Sequence, residues 1–274
     1  MQDASREKRK FGSTEWEAMK ILGVRIDLVD YDKTLRIIHG CILNRLIGHF
    51  ICVTPVHPIM ECRKDSVLRN ALEKSLLTVP DGMPVVWAAK LLGGKINDRV
   101  YGPNLMLHSC GMAEKEGYSV FLYGSKPETL EKLKTTLVNR FPRLKIAGTY
   151  SPPFHKLNTH EEREIIQMIN AASPDILFVG LGVPKQEKWM LVFCHRIEVP
   201  ISLGVGAAFD FISGEKKQAP SWMQKRGLEW FFRLMSEPMR LWKRYLIYNP
   251  LFIFLLLKEL LGNTFKSRKE IKFG

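Results

Sequence analysis

Short apolar runs rich in β-branched residues alternate with longer amphipathic segments over most of this chain. The runs HFICVTPV, YSVFLYGS and DILFVGLG are each followed by a segment with helical periodicity, and PISLGVG leads into AAFDFISG. Strands that alternate with helices are typical of a mostly parallel sheet with helices on both of its faces. The pattern therefore predicts an α/β fold up to about residue 209.

The pattern changes after Pro220, where the strand-like runs stop. The rest of the chain predicts three short helices separated by Pro238 and Pro250, because proline suits the first turn of a helix and disrupts its interior. We therefore divide the chain into three parts. They are an N-terminal extension that is a candidate for a flexible segment (1–22), a Rossmann-like α/β core (23–218) and a helical C-terminal appendage (219–274).

Composition narrows the class of protein. With 46% hydrophobic and 25% charged residues, the chain is neither disordered nor collagen-like. Its N-terminus is charged and lacks the apolar centre of a signal peptide, and its five cysteines form no CxxC pair, which favours a reduced, cytosolic protein. The longest apolar run, residues 251–257, is shorter than the ~20 residues of a spanning helix. We expect the chain to touch a bilayer without crossing it.

The net charge of +13 is concentrated in the appendage. From residue 216 to the end there are 13 Lys and Arg but only 4 Glu. Arg240, Lys243 and Arg244 share one helical face, and aromatic residues are interleaved with them. Cations mixed with aromatics suit an anionic membrane surface. Single-stranded nucleic acid is the alternative partner, and a solvated helix face is the alternative without one.

Ligands of parallel α/β sheets bind in the loops at the carboxyl ends of the strands. Candidate substrate-binding residues in these loops are Thr54, Gly124, Gly182 and Gly206, followed by Asp210. The loop GLGVPKQE has only the first two glycines of the dinucleotide fingerprint, with Lys185 in place of the third, so no NAD or other cofactor is predicted.

The same loop would suit a diphosphate, since it leads into a helix N-terminus and carries Lys185 and Gln186 as donors. The alternative is a tight turn that merely requires glycine. LYGSKPE, which contains Gly124, has the same two interpretations.

Two acidic motifs are candidates for chemistry. Asp30-Tyr31-Asp32 has the spacing of a divalent-metal motif, but it precedes an apolar helical stripe and Asp32 is better interpreted as a helix cap, so no metal is predicted. Asp81, in a Pro-Asp-Gly turn after a strand, is either a turn or capping residue or a general base whose pKa is raised by an apolar wall. His57 and His108 are isolated, and we expect them to be packed rather than catalytic.

Several long motifs resemble one known family. DGMPVVWAAKLLGG, DRVYGPNLM, PDILFVGLGVPKQEKW, GVGAAFDFISGEKKQAPSWMQKRGLEWFFRLMSEP and RLWKRYL occur in the order seen in the WecG/TagA/CpsF glycosyltransferases. The resemblance implies an inverting, metal-independent enzyme that moves N-acetylmannosamine or a related hexose from a UDP-sugar to a polyprenyl-diphosphate-linked sugar. It also implies a role in bacterial cell-surface polysaccharide or teichoic acid assembly, on the inner face of the cell membrane.

The resemblance also assigns roles to individual residues. Asp81 corresponds to the family's base and Arg99 to its arginine before the G-x-D-L motif. Gln186 corresponds to a donor-site residue. Cations that fold over the active site and reach the diphosphate fall on Arg233 and Arg240, with Lys243 or Arg244 beside them.

Two motifs depart from the family pattern. Val53-Thr54-Pro55 stands where Thr-x-Asn is usual, so Thr54 is the remaining polar candidate. The G-x-D-L motif reads Gly102-Pro103-Asn104-Leu105, which makes Asn104 the substrate-binding candidate there. These changes leave open the donor sugar, and they keep a catalytically altered UDP-sugar-binding or scaffold relative as the alternative function. Nucleic-acid binding as the alternative function would account only for the basic appendage. Separately, the sequence is compatible with a homo-oligomer.

Overall fold

The computed structural model describes residues 6–272, and it describes side chains for residues 6–224 and 226–262. Within this range the strands are β1 (Arg6–Phe11), β2 (Thr14–Ile21), β3 (Val24–Asp27), β4 (His49–Thr54), β5 (Leu77–Pro80), β6 (Ser119–Gly124), β7 (Lys145–Tyr150), β8 (Ile176–Gly180) and β9 (Ile201–Gly204). The first three form an antiparallel sheet, and the other six form a parallel sheet in the order β5-β4-β9-β8-β6-β7.

Helices connect the strands and complete the chain. They are α1 (Tyr31–Leu43), α2 (Val56–Glu61), α3 (Ser66–Lys74), α4 (Met83–Leu91), α5 (Gly102–Glu116), α6 (Pro127–Arg140), α7 (Thr159–Ala172), α8 (Lys185–Phe193), α9 (Ala208–Ile212), α10 (Ser221–Lys225), α11 (Glu229–Ser236), α12 (Pro238–Trp242), a π-helical segment (Lys243–Tyr248) and α13 (Asn249–Lys272).

The parallel sheet is buried on both faces, which confirms the predicted α/β fold. Side chains of a strand alternate between faces, and here both faces are apolar. In β6, Phe121 and Tyr123 pack with helices that include α4, α8 and α13, whereas Val120 and Leu122 pack with α1, α5 and α6 on the opposite face. The carboxyl ends of the strands therefore meet along a single edge, where the loops form a crevice.

The N-terminal residues add a second sheet to this core. The sequence suggested a flexible extension for 1–22, but residues 6–21 contain strands β1 and β2, and residues 1–5 lie outside the described residues. The fully buried Asp27 ties this sheet to the core. Its carboxylate accepts hydrogen bonds from Trp16 Nε1 at 2.7 Å, Arg9 Nη1 at 2.8 Å and the backbone N of Thr78 in β5 at 2.7 Å.

The C-terminal part is helical, as predicted, but the break expected at Pro250 is wrong. A helix begins at Pro238, as the sequence indicated, and continues through the π-helical segment into α13. A π turn just before a proline accommodates the missing N–H and the bulk of its ring.

The resulting helix is longer than the seven-residue apolar run suggested. From Pro238 to Gly262 it has 25 residues, enough by length and composition alone to cross a membrane, which is weak evidence of a span. Only 17% of the most apolar 18-residue stretch of this helix is buried inside the protein. Phe252 and Leu256 pack into the core, and Glu259 accepts a hydrogen bond from the backbone N of Leu22 at 3.2 Å, so one side of the helix is docked on the protein.

Candidate active site

Asp81 lies in the turn between β5 and α4, at the carboxyl edge of the parallel sheet. Its backbone N–H donates to the carbonyl oxygen of Thr54 in β4 at 3.1 Å, which holds the turn against the neighbouring strand. The N-cap of α4 is Gly82, with φ of 87°. Among the described residues, the carboxylate of Asp81 makes no hydrogen bond or ion pair. The capping role is therefore absent, and the carboxylate is available to a ligand.

Two pockets meet at Asp81. The strand-end pocket, with a volume of about 260 Å³, follows the glycine-containing loops after β8 and β9 and is lined by Gly182, Gln186 and Gly206. The helix pocket, with a volume of about 70 Å³, lies between α4 and the C-terminal helices. The residues that line both pockets are Pro55, Asp81, Arg233 and Arg244. A ligand in either pocket would therefore contact the same carboxylate and arginines.

The surroundings of Asp81 suit a general base. Burial raises the pKa of Asp81 to about 6. The positive charges of Arg99, Arg233 and Arg244 lower this pKa, and the negative charge of Glu229 raises it. A carboxyl group with a pKa near 6 is mostly ionised at neutral pH and accepts a proton more readily than an ordinary aspartate.

Arg99 connects the core to the appendage. The backbone of Val100 donates to the carbonyl oxygen of Pro80 at 2.8 Å, which holds the Arg99 loop beside Asp81. The guanidinium of Arg99 donates to Glu229 Oε2 at 2.7 Å and to Gln224 Oε1 at 2.9 Å. It also lies over the ring of Tyr101, 4.3 Å from the centroid. In this structure Arg99 is therefore occupied by protein partners.

Arg233 and Arg244 are the cations available to a ligand. Neither forms an ion pair with a carboxylate of the described residues, and Arg233 Nε is buried without a hydrogen-bond partner there. Their guanidinium groups lie beside aromatic rings, of Phe211 at 5.3 Å and of Tyr245 at 5.7 Å. Partly buried cations without counter-charges favour the binding of an anion.

Gln186 forms part of the wall of the strand-end pocket. It is 1% exposed, its Oε1 accepts the backbone N–H of Gly182 at 3.1 Å, and its Nε2 donates to Glu187 Oε1 at 2.8 Å. Burial raises the pKa of Glu187 to about 7. Gly206 packs closely against Gln186, since a Cβ added to this glycine would lie only 3.3 Å from Gln186 Oε1. These contacts fix the amide at the mouth of the predicted diphosphate loop.

Two other predicted residues line the strand-end pocket but are engaged in ion pairs. Asp210 binds Lys216, with Oδ2 and Nζ 2.6 Å apart. Arg240 pairs with Glu237, with Nε donating to Oε1 at 2.8 Å. Both side chains can reach a ligand only by weakening these pairs.

The structure places five predicted site residues elsewhere. Thr54 is fully buried, and its hydroxyl donates to the carbonyl oxygen of Cys52 at 3.2 Å, so Val53 and Pro55 face the pocket instead. Gly124 packs against Gly180 of β8, where a Cβ would lie 2.6 Å from its carbonyl carbon. The other three are Lys185, Lys243 and Asn104. Lys185 is exposed, and Lys243 lies over the ring of Trp242. Asn104 lines a separate depression beside α1 and α5.

The sequence analysis expected His57 to be packed but did not predict that it lines the helix pocket, and it did not predict the two partners of Arg99. His57 lines the helix pocket, stacks on Tyr248 with centroids 5.6 Å apart, and has a buried Nδ1 without a partner among the described residues. Burial lowers its pKa to about 4, so its imidazole is neutral at neutral pH. Its position three residues after the end of β4 was the available signal.

The acidic pair near the start of α1 is a helix cap. The cap residue is Asp30 rather than the predicted Asp32, with Asp30 Oδ1 accepting the backbone N–H of Lys33 at 2.8 Å. Within the part of the chain that the structure describes, no group of three His, Cys, Asp or Glu side chains is placed to hold a metal ion.

A partly buried carboxylate and two arginines without carboxylate partners among the described residues lie together at the carboxyl edge of the parallel sheet, an arrangement that suits an α/β enzyme with an anionic substrate. Residues 19–266 match the model of the glycosyl transferase WecG/TagA/CpsF family, so the chain belongs to this family of glycosyltransferases.

Relatives from three bacteria carry one name, N-acetylglucosaminyldiphosphoundecaprenol N-acetyl-β-D-mannosaminyltransferase. The chain is 34% identical to the protein of Bacillus subtilis (strain 168) over 228 residues, which cover 83% of this chain and 87% of the relative. It is 32% identical to the protein of Bacillus spizizenii over 228 residues, or 81% and 85% of the two chains. Identity to the protein of Staphylococcus aureus (strain MW2) is 28% over 225 residues, or 82% and 85%.

Proposed function

We propose that this glycosyltransferase moves N-acetylmannosamine, or a related hexose, from a UDP-sugar to the sugar of a polyprenyl-diphosphate-linked N-acetylglucosamine. The names of the three bacterial relatives support the transferred sugar and the acceptor. The observation that carries the proposal is the position of Asp81, where two pockets meet beside two arginines that lack carboxylate partners among the described residues.

The reaction is a single displacement with inversion. The strand-end pocket holds the UDP-sugar and the helix pocket holds the acceptor sugar, so the acceptor hydroxyl approaches the anomeric carbon from the side opposite UDP. Asp81 accepts the hydroxyl proton as the oxygen forms its bond to that carbon. The bond from carbon to the UDP oxygen breaks, and UDP leaves with the electron pair. General-base catalysis of this kind contributes about 10²–10⁴ in rate.

The leaving UDP needs positive charge near its β-phosphate. Arg233 and Arg244 line both pockets, and Arg240 reaches the strand-end pocket. Guanidinium groups bind phosphate oxygens through two donors at once. They neutralise the charge that develops on UDP, so the proposed reaction does not require a metal ion.

Arg99 has a positioning role in this proposal. Its bonds to Glu229 and Gln224 hold the start of α11 against the core, which places Arg233 one helical turn later at the pocket junction. Its charge also favours the ionised form of Asp81.

The enzyme acts at the inner surface of a bacterial membrane, because its proposed acceptor is a lipid and its donor is soluble. The C-terminal helices expose many apolar side chains, including Met239, Phe254 and Leu261, and they also carry Arg240 and Lys243. A surface that combines apolar side chains and cations binds anionic lipid headgroups. Since Phe252 and Leu256 pack on the core, we propose that the protein lies on the membrane.

The test is a transfer assay with purified protein, a short-chain polyprenyl-diphosphate N-acetylglucosamine and a panel of UDP-sugars, first in EDTA and then in Mg²⁺. Product mass and released UDP are measured. We expect transfer from UDP-N-acetylmannosamine or one related donor in EDTA, and a large loss of rate in Asp81→Asn.

Other outcomes would change the proposal in defined ways. Transfer only in Mg²⁺ would contradict the role given to the arginines. UDP binding without transfer from any donor would favour the scaffold alternative, in which the altered Val53-Thr54-Pro55 loop no longer supports turnover.

A further inference from the structure

An apolar groove runs along the outside of the molecule between α4 and α13. It has a volume of about 380 Å³ and an almost entirely apolar lining. Trp87 and Leu91 of α4 form one wall, and Ile253 and Leu257 of α13 form the other. All four side chains are about half exposed, at 45–62%. The groove is therefore open along its length and its walls are in contact with solvent.

The groove adjoins the helix pocket that contains Asp81. The residues that line both cavities are Val56, Pro84, Gly227, Trp230, Tyr245 and Asn249. Gly227 stands at this junction with φ of 71°, and an added Cβ would lie 2.6 Å from Cη2 of Trp87. The close approach of this glycine to Trp87 brings the loop before α11 against α4, where the two cavities join.

Polarity changes sharply from the helix pocket to the groove. The helix pocket has Asp81, Arg233 and Arg244 at its inner end, whereas the groove is apolar from the junction outward. A ligand that fits both cavities has a sugar at the carboxylate, an anionic group at the arginines and a hydrocarbon chain beyond them. Burial of the chain is favourable because it removes apolar surface from water on both partners.

We propose that this groove binds the first isoprene units of the acceptor lipid, those next to the diphosphate. The inference rests on the proposed function for the identity of the acceptor, and it adds a chain-binding site outside the reacting groups. One wall of the groove belongs to the exposed apolar surface of α13, so the lipid would pass from the active site directly to the side of the protein proposed to face the membrane. The first isoprene units thus act as part of the recognised substrate.

Direct binding tests the groove without any sugar donor. The Kd of farnesyl diphosphate is compared with the Kd of inorganic diphosphate by calorimetry, below the micellar concentration and without vesicles or detergent. Half-burial of one five-carbon unit in an open groove corresponds to about 30-fold tighter binding. We therefore expect farnesyl diphosphate to bind at least about 30-fold more tightly than inorganic diphosphate.

Neighbouring residues of α13 provide matched variants. Ile253 lines the groove and is 56% exposed, whereas Phe254 is 63% exposed and lies outside the lining. Substitutions of such exposed residues leave the fold intact. Ile253→Gln is expected to weaken the binding of farnesyl diphosphate about 3–10-fold and to leave the Kd of inorganic diphosphate unchanged. Phe254→Gln is expected to leave both Kd values unchanged and to weaken only the binding of anionic vesicles.

The outcomes separate this inference from the proposed function. Equal Kd values for farnesyl and inorganic diphosphate, or equal losses in Ile253→Gln and Phe254→Gln, would overturn the groove as a chain site and leave a general membrane-contacting surface. These measurements do not depend on turnover, so a failure of sugar transfer would contradict the proposed reaction alone. Transfer with a KM independent of chain length would contradict the groove alone.

Discussion

Arg99 and Glu229 form an ion pair across 130 positions of sequence, with Nη1 and Oε2 2.7 Å apart. Their side chains are only 11% and 12% exposed. The pair connects the loop beside Asp81 to the first turn of α11, and it therefore couples the surroundings of Asp81 to the arginines of the appendage. Both charges also act on Asp81, in opposite directions.

Glu229→Gln is expected to loosen the appendage. Loss of one partner of a buried ion pair leaves the other charge uncompensated and costs on the order of 3 kcal/mol of unfolding free energy. Urea unfolding and limited proteolysis of residues 219–262 would measure the change. Glu215→Gln is the control, because it removes an ion pair with Lys132 whose side chains are 60% and 35% exposed, and such pairs contribute less than about 1 kcal/mol. Equal effects of the two substitutions would contradict the coupling.

Asp81→Asn is expected to lower kcat by about 10²–10⁴ while UDP binding is retained. The same substitution is expected to stabilise the fold at neutral pH. The pKa of Asp81 is raised to about 6 in the folded state, so the folded protein holds this proton more tightly than the unfolded chain.

The stability that comes from protonated Asp81 is complete below the unfolded pKa, near 4, and is lost as the pH rises through about 6. At pH 7.5 the asparagine variant should therefore be more stable by about 1–3 kcal/mol, and the difference should shrink between pH 6 and pH 4. Urea unfolding at several pH values measures it. A variant less stable than wild type at pH 7.5 would contradict the raised pKa.

The pH dependence of kcat/KM should show an acidic limb near pH 6, because in the proposed reaction only ionised Asp81 can accept the proton of the acceptor hydroxyl. Glu187 also titrates near this range, with a pKa of about 7, so Glu187→Gln is the necessary control. The limb should persist in that variant and should move to lower pH in Glu229→Gln, which removes a charge that raises the pKa of Asp81. Loss of the limb in Glu187→Gln would assign it to Glu187.

Arg244→Gln is expected to lower kcat by about 10²–10³, the usual effect of removing a donor from developing negative charge. The adjacent Lys243→Gln is the matched control, since Lys243 lies over Trp242, 5.5 Å from the ring centroid, and outside both pockets. We expect less than about a threefold change there when the acceptor is water-soluble. Steady-state kinetics in the absence of vesicles separates this effect from membrane binding. Equal losses in both variants would show that the pocket lining does not identify the catalytic cations.

Asp27→Ala is expected to destabilise the protein by about 3–5 kcal/mol, because it leaves Arg9 and Arg25 without their buried partner. The backbone N–H of Thr78 also loses its acceptor, at the start of the strand that ends beside Asp81. Chemical unfolding measures the loss. Asp30→Ala, which removes only the cap of α1, should cost about 1 kcal/mol by comparison.

The periodicity of the chain was enough to predict the α/β core and the start of the appendage helix at Pro238. Strands such as β6 contain apolar residues for both faces, and this local pattern depends little on distant residues. The sequence did not predict the N-terminal sheet (β1, β2 and β3) or, in the parallel sheet, the strand β7. The strands β1 and β7 lie at the edges of their sheets. Both are partly exposed, and their strand structure depends on pairing with β2 and β6 rather than on an apolar run.

The sequence by itself also determined the family and the turn that contains Asp81, because both are written in contiguous motifs. It left the roles of single residues open. Gly124 and Gly182 looked equivalent along the chain, yet one packs against Gly180 and the other lines a pocket. Only the tertiary structure decided that Gly82 caps α4, that Arg99 pairs with Glu229 and that an apolar groove adjoins the pocket lined by Asp81. These features depend on contacts between distant segments, and such contacts form only when the helices and the sheet pack together.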